Sequence, residues 1–99
     1  MGIVTDMAKK VIEEKFEAQI NIVQAKLETL KAKAEASKAT AELKVIVELL
    51  TKKRVIDQKL SDLKTSSATT YDQTKSDVES RVAELEKTVK AIEAKFKAA

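Results

Sequence analysis

Three groupings in this sequence carry side chains that could do chemistry. Glu13, Glu14 and Glu17, with Asp6 just upstream, offer the oxygen ligands a hard cation takes. Carboxylate metal sites in helical bundles set inward-facing Glu beside a Glu-x-x-His step, and this chain has no His. The acids therefore read as a solvated helix face, and no metal or other cofactor is expected. The hydroxyl run Thr65-Ser66-Ser67-Ala68-Thr69-Thr70 holds nucleophile oxygens with no base to activate them. It reads as a turn, at most a hinge or a phosphorylation site. Lys52-Lys53-Arg54 is the densest cationic run. Without aromatic stacking residues or a reading helix it is a poor phosphate-backbone site, and no nucleic acid is expected as a partner.

Composition points away from catalysis as well. The chain lacks Cys, so thiolate metal sites, thiol nucleophiles and disulfides are closed off, and the missing His removes the commonest general base. We expect a protein that is not an enzyme. Pro is absent and Gly2 is the single glycine, while 35% of residues are charged and 43% hydrophobic. That is the profile of long helices or a coiled coil in one domain over residues 1–99. No apolar run approaches the ~20 residues of a membrane span. Asp6 stands where a myristoylation signal needs Ser or Thr. The expected compartment is the cytoplasm.

The elements follow from spacing. A helix start is expected at Thr5 or Asp6, whose side-chain oxygens suit free amide groups. Phe16, Ile20, Val23, Leu27, Leu30 and Ala34 then recur at alternating steps of four and three, a heptad seam. Ala41, Val45, Leu49 and Lys53 follow at steps of four, a stutter that locally unwinds a supercoil. Ile56, Leu60 and Leu63 resume the seam. Thr70 and Gln73 fit a capping box, after which Val78, Val82, Leu85, Val89, Ile92 and Phe96 form the cleanest heptad of the chain. Acids precede bases by four residues at Glu48–Lys52, Asp77–Arg81, Glu86–Lys90 and Glu93–Lys97, the favourable order on a helix surface.

The expected fold is all-α: one long helix over about 5–64 and a shorter antiparallel helix over about 70–98, roughly 88 and 42 Å long. A hairpin register puts Ile56 opposite Val82 and Leu49 opposite Val89, with Leu43, Val45 and Ile46 in its core. The short helix then leaves Val11, Ile12, Phe16, Ile20, Ile22, Val23, Leu27 and Leu30 uncovered. Burying such a seam releases on the order of 10–20 kcal/mol as an upper bound, so something must cover it. Two copies paired antiparallel would do so, giving a three-helix bundle at each end. A monomeric three-helix bundle, bent near residues 35–41, uses the same contacts. Residues 33–42 are rich in Ala and free of Gly, Pro and Asn, so local propensity favours the straight helix and the homodimer. The spread of Val45, Ile46, Val47, Leu49 and Leu50 over about 200° of helix face, like the off-seam Ile22, suits a three-helix environment.

The stretches Phe16-Glu-Ala-Gln-Ile, Leu27-Glu-Thr-Leu-Lys-Ala-Lys-Ala-Glu-Ala, Leu60-Ser-Asp-Leu-Lys-Thr-Ser-Ser and Asp77-Val-Glu-Ser, with Ala94-Lys-Phe-Lys, resemble a group of small bacterial coiled-coil proteins, some linked to stress responses. The resemblance implies a long helix, a Ser-rich turn and a shorter return helix, and transfers no catalytic residue. Those proteins carry Trp where Tyr71 and Val82 stand here. The function expected is non-enzymatic: structural, scaffolding or stress-related work through coiled-coil self-association or binding of a protein partner. The alternative is reversible binding of a membrane surface by Lys-rich amphipathic helices. A third reading is a designed or excised coiled-coil piece without a function of its own; the stutters and Lys53 on the seam argue against pure design.

Overall fold

The computed structural model describes the backbone of residues 6–98 and the side chains of residues 7–97. Among them are three α-helices and no strand: α1 (Asp6–Ala36), α2 (Thr40–Thr65) and α3 (Ala68–Ala98). Thr5, one of the two expected starting residues, lies outside the described residues. A helix of this length is about 46 Å long. The molecule measures 51 × 18 × 16 Å, one helix long and two helices wide. Cross-helix contacts give the directions. Glu17 pairs with Lys64, while Gln24 and Glu28 share a cleft with Leu50 and Arg54, so α2 runs antiparallel to α1. Glu13 meets Tyr71 and Lys26 meets Glu93, so α3 runs parallel to α1.

The long helix expected over about 5–64 is two helices, and three residues make the difference. The Ala39 amide donates to the Ala34 carbonyl at 2.9 Å and the Lys38 amide to Glu35 at 3.3 Å. Lys38 sits at φ 57, the left-handed region. This six-to-one and five-to-two pair is the Schellman closure that usually employs Gly at the Lys38 position. The Ser37 hydroxyl adds a bond to the Lys33 carbonyl at 2.6 Å. Local propensity does favour a continuous helix here, but its magnitude is small. Holding a non-glycine residue left-handed costs about 1–2 kcal/mol. Turning back buries Phe16, Ile20, Val23, Leu27 and Leu30 within the chain, and that apolar seam is worth several times as much. Tertiary burial wins.

The second turn is shorter than its sequence suggests. Only Ser66 and Ser67 separate α2 from α3. The Ser67 carbonyl accepts from the Thr70 and Tyr71 amides at 3.2 and 3.0 Å, which starts α3 ahead of the expected Thr70 box. The reason lies one residue on. Tyr71 is seven residues before Val78 and is 2% exposed, so it adds one more heptad to the α3 seam and draws its backbone into the helix. Between α2 and α3, Lys59 pairs with Asp77 at 3.7 Å, and Leu49 and Ile56 share a cleft with Leu85 and Thr88.

The Lys38 turn gives a test by sign. Lys38→Gly should stabilise the protein by about 0.5–1 kcal/mol in thermal or denaturant unfolding, because Gly occupies the left-handed region without a Cβ penalty. Through a straight helix the same change would cost about 1 kcal/mol. A loss of stability would therefore argue for the unbent chain.

Candidate functional site

The seam residues fall into two sets. Phe16, Ile20, Val23, Leu27 and Leu30 are buried, joined by Ala34, in a core shared with Ile46, Leu49, Ile56, Leu60 and Leu63 of α2 and with the α3 seam. Ile12 and Leu43 are half-buried against that core. Val11 and Ile22, in contrast, are 61% and 57% exposed, and Val45 is 40% exposed. The breadth of apolar positions around Val45–Leu50 and at Ile22 therefore exceeds what three helices cover. Ile46 and Leu49 take the core, Leu50 its edge, while Val45 and Val47 face out.

The polar residues singled out for chemistry are dispersed. Glu17 pairs with Lys64, and Glu13 accepts the Tyr71 hydroxyl at 3.4 Å. Glu14 is exposed, and the side chain of Asp6 lies outside the described residues. Among the described residues no group of three or more acidic, His or Cys side chains is placed to hold a metal ion. Lys52, Lys53 and Arg54 do not share one face, since each residue advances about 100° around the helix. Lys52 lines the α2–α3 cleft, Lys53 and Arg54 line the α1–α2 cleft, and Lys53 pairs with Asp57 one turn on at 2.7 Å. Lys53 thus holds a seam position by keeping its stem on the bundle and its ammonium at the surface. The hydroxyls of Ser67, Thr69 and Thr70 bond one another at 2.9 and 3.1 Å across the start of α3.

Tyr71 is the residue that sequence reasoning missed. Its ring lies in the core, the Lys9 ammonium stands 5.0 Å from the ring centroid, and its hydroxyl points at Glu13. The seven-residue step to Val78 was the available signal. Burial, then the Glu13 carboxylate, raises the phenol above its ordinary value. The hydrogen bond to Glu17 comes first in raising Lys64.

Between α1 and α3 runs an open groove with two depressions of about 340 and 210 Å³. Ile22, Ala25, Lys26, Thr29 and Lys33 line it from α1, and Ala83, Lys87, Lys90 and Lys97 from α3. Glu86 and Glu93 are its only acids. Of the four same-helix pairs expected from spacing, Asp77–Arg81 forms at 3.1 Å, whereas Glu93 turns across the groove to Lys26 at 3.9 Å. No helix among the described residues is long and apolar enough to cross a membrane. Comparison with protein families, curated proteins and solved structures gives no match to this chain.

The raised phenol has a defined pH consequence. The fold favours neutral Tyr71, so that part of the stability is complete below about pH 10 and is lost as pH rises through the raised value. Lys64, favoured as the cation, is lost in the same alkaline direction. As Tyr71 is the single tyrosine, phenolate absorbance reports it alone. Its midpoint should lie above that of the denatured chain, and Tyr71→Phe should flatten the alkaline fall in stability. Equal midpoints in the two states would contradict the buried placement.

Proposed function

We propose that this protein is a non-catalytic helical association protein that can pair with a second copy by exchanging α1 across the Ser37–Ala39 turn. The observation that carries this reading is Lys38, a non-glycine residue at φ 57 within a segment of helix-favouring Ala residues. Opening the turn relieves about 1–2 kcal/mol of backbone strain in each chain. It also converts α1 and α2 into one straight helix. Two such chains laid antiparallel place each α1 on the other's α2 and α3 and remake the same core contacts, which is domain exchange. Against this stands the lost freedom of one molecule, about 4–15 kcal/mol at the molar standard state. Closing within one chain carries no such cost. The balance is therefore set by concentration and by residue 38. A scaffolding role, with or without the stress link that the resemblance implies, is compatible with either state, because the seam is covered in both.

Light scattering from micromolar to millimolar protein tests this. Dimer should grow with concentration in the parent chain. Lys38→Gly should suppress it by roughly a hundredfold or more in association constant, since each of two chains gains ~0.5–1 kcal/mol in the closed turn and loses about 1 kcal/mol in the straight helix. Lys38→Ile should enhance it, because a β-branched residue tolerates the left-handed region worst. If all three stay monomeric to millimolar concentration, and mixed labelled copies never share complexes, exchange is not how this chain associates.

A further inference from the structure

On the exchange proposed above, we infer that the paired form holds a compact polyphosphate anion at its centre, and that this anion draws closed chains into the pair. What points to it is how charge is laid along the bundle. The half that carries the Ser37–Ala39 turn consists of residues 22–53 and 84–98. It holds eleven lysines against seven glutamates, a surplus of four. The far half, residues 6–21 and 54–83, holds eight basic and nine acidic groups. The net charge of +3 therefore belongs to the turn end. The surplus surrounds that end instead of lining one groove. Lys33 and Lys97 stand in the α1–α3 groove, Lys31 and Lys53 in the α1–α2 cleft, and Lys38 in the turn itself.

Exchange brings two such ends together. Each straightened α1–α2 helix runs through the middle of the pair, so the turn ends of both bundles meet there and their surpluses add. Like charges so placed repel, and the repulsion reaches far at low salt and little at high salt. In the closed chain Lys33 and Lys95 border an open depression of about 690 Å³ beside Ser37, Ala39 and Phe96, with Glu42 its one acid. Because α1 and α3 change partners, Lys33 of one copy comes beside Lys95 of the other, and the two-fold axis repeats the arrangement. Four lysines then ring a centre where the closed chain presents two. A lysine binds phosphate as a point charge, so several converging lysines suit an anion that carries several phosphate groups. A nucleobase finds no ring to stack on, since Phe16 and Tyr71 are buried and Phe96 packs against the core. The pair offers the anion twice the charge of the closed chain, and a ligand favours the state that binds it better.

Light scattering of the parent chain and of Lys38→Ile, each brought to equilibrium, measures the effect, and mixing of labelled copies identifies exchange. The association constant should rise about fivefold or more between roughly 10 and 150 mM sodium chloride, as the screening length falls from ~30 to ~8 Å. At the higher ionic strength held constant, millimolar tripolyphosphate should raise it by about tenfold more, and sulfate by less. ATP carries the same triphosphate and should do no better than tripolyphosphate. Lys95→Glu combined with Lys97→Glu, both at exposed positions, cancels the surplus of four. That variant should pair more readily at low salt and lose its response to salt and to tripolyphosphate. Lys10→Glu with Lys15→Glu, the same change in charge on the far half, should leave both responses in place. Pairs that form by exchange yet ignore salt and tripolyphosphate would overturn this inference and leave the exchange standing. An effect of ATP that tripolyphosphate lacks would overturn it in favour of a base-reading site. If no condition yields pairs, the exchange fails and the anion site fails with it.

Discussion

The hydrogen bond from the Ala39 amide to the Ala34 carbonyl, with Lys38 turned left-handed between them, fixes where α1 stops, and much of the architecture follows. Once α1 ends at Ala36, α2 starts at Thr40 and must run back along it. Phe16 to Leu30 then face Ile46 to Leu63 within one chain, and α3 fills the angle between them with Tyr71 to Ile92. The seams were written for three helices of similar length. An 88 Å helix would exceed the 51 Å long axis by more than half. The turn is strained by a small amount, and the core it permits repays that amount several times over.

What was legible in the sequence was periodic. The heptads over Phe16–Ala34, Ile56–Leu63 and Val78–Ile92 identified the buried residues of each helix, because 3.6-residue geometry maps spacing directly onto a face. Around residue 45 spacing misled: the steps of four put Val45 on the seam, but Val45 is 40% exposed while Ile46 is buried and Leu43 half-buried against the core. The turn was not legible. Residues 33–42 contain nothing that forbids a helix, and a left-handed Lys is chosen by the packing it permits rather than by its own preference. Tyr71 failed differently. It sits in a hydroxyl-rich stretch that competes with helix formation, and only the step to Val78 ties it to the seam. A ring that is 2% exposed outweighs that local competition.

Polar contacts do two separate jobs. At one end of the bundle they bind elements together: Lys9 and Glu13 of α1 hold the Tyr71 ring and hydroxyl of α3, and Glu17 reaches Lys64 near the end of α2. Along the α1–α3 groove they are left in surplus. Surface ion pairs are worth about 0–1 kcal/mol, so neither set accounts for much of the stability. Their arrangement matters for what approaches the surface, through the sign of the local field.

That distinction bears on which exposed apolar residues mean something. Val45, Val47 and Val55 are also out in solvent, but a few scattered large side chains are ordinary on a small protein surface. Val47 and Val55 diverge by about 80° around α2 and share no single stripe. Val11 and Ile22 lie within about 20° of one another on α1, with Ala18, Ala25 and Thr29 continuing the line. A core that is already complete gains nothing from that alignment, because none of those residues enters it. Solubility alone would be better served by polar residues at the same positions. The line is centred about 150° around α1 from the buried seam, on the side of the helix turned away from α2 and α3, so helix geometry rather than the core sets its exposure.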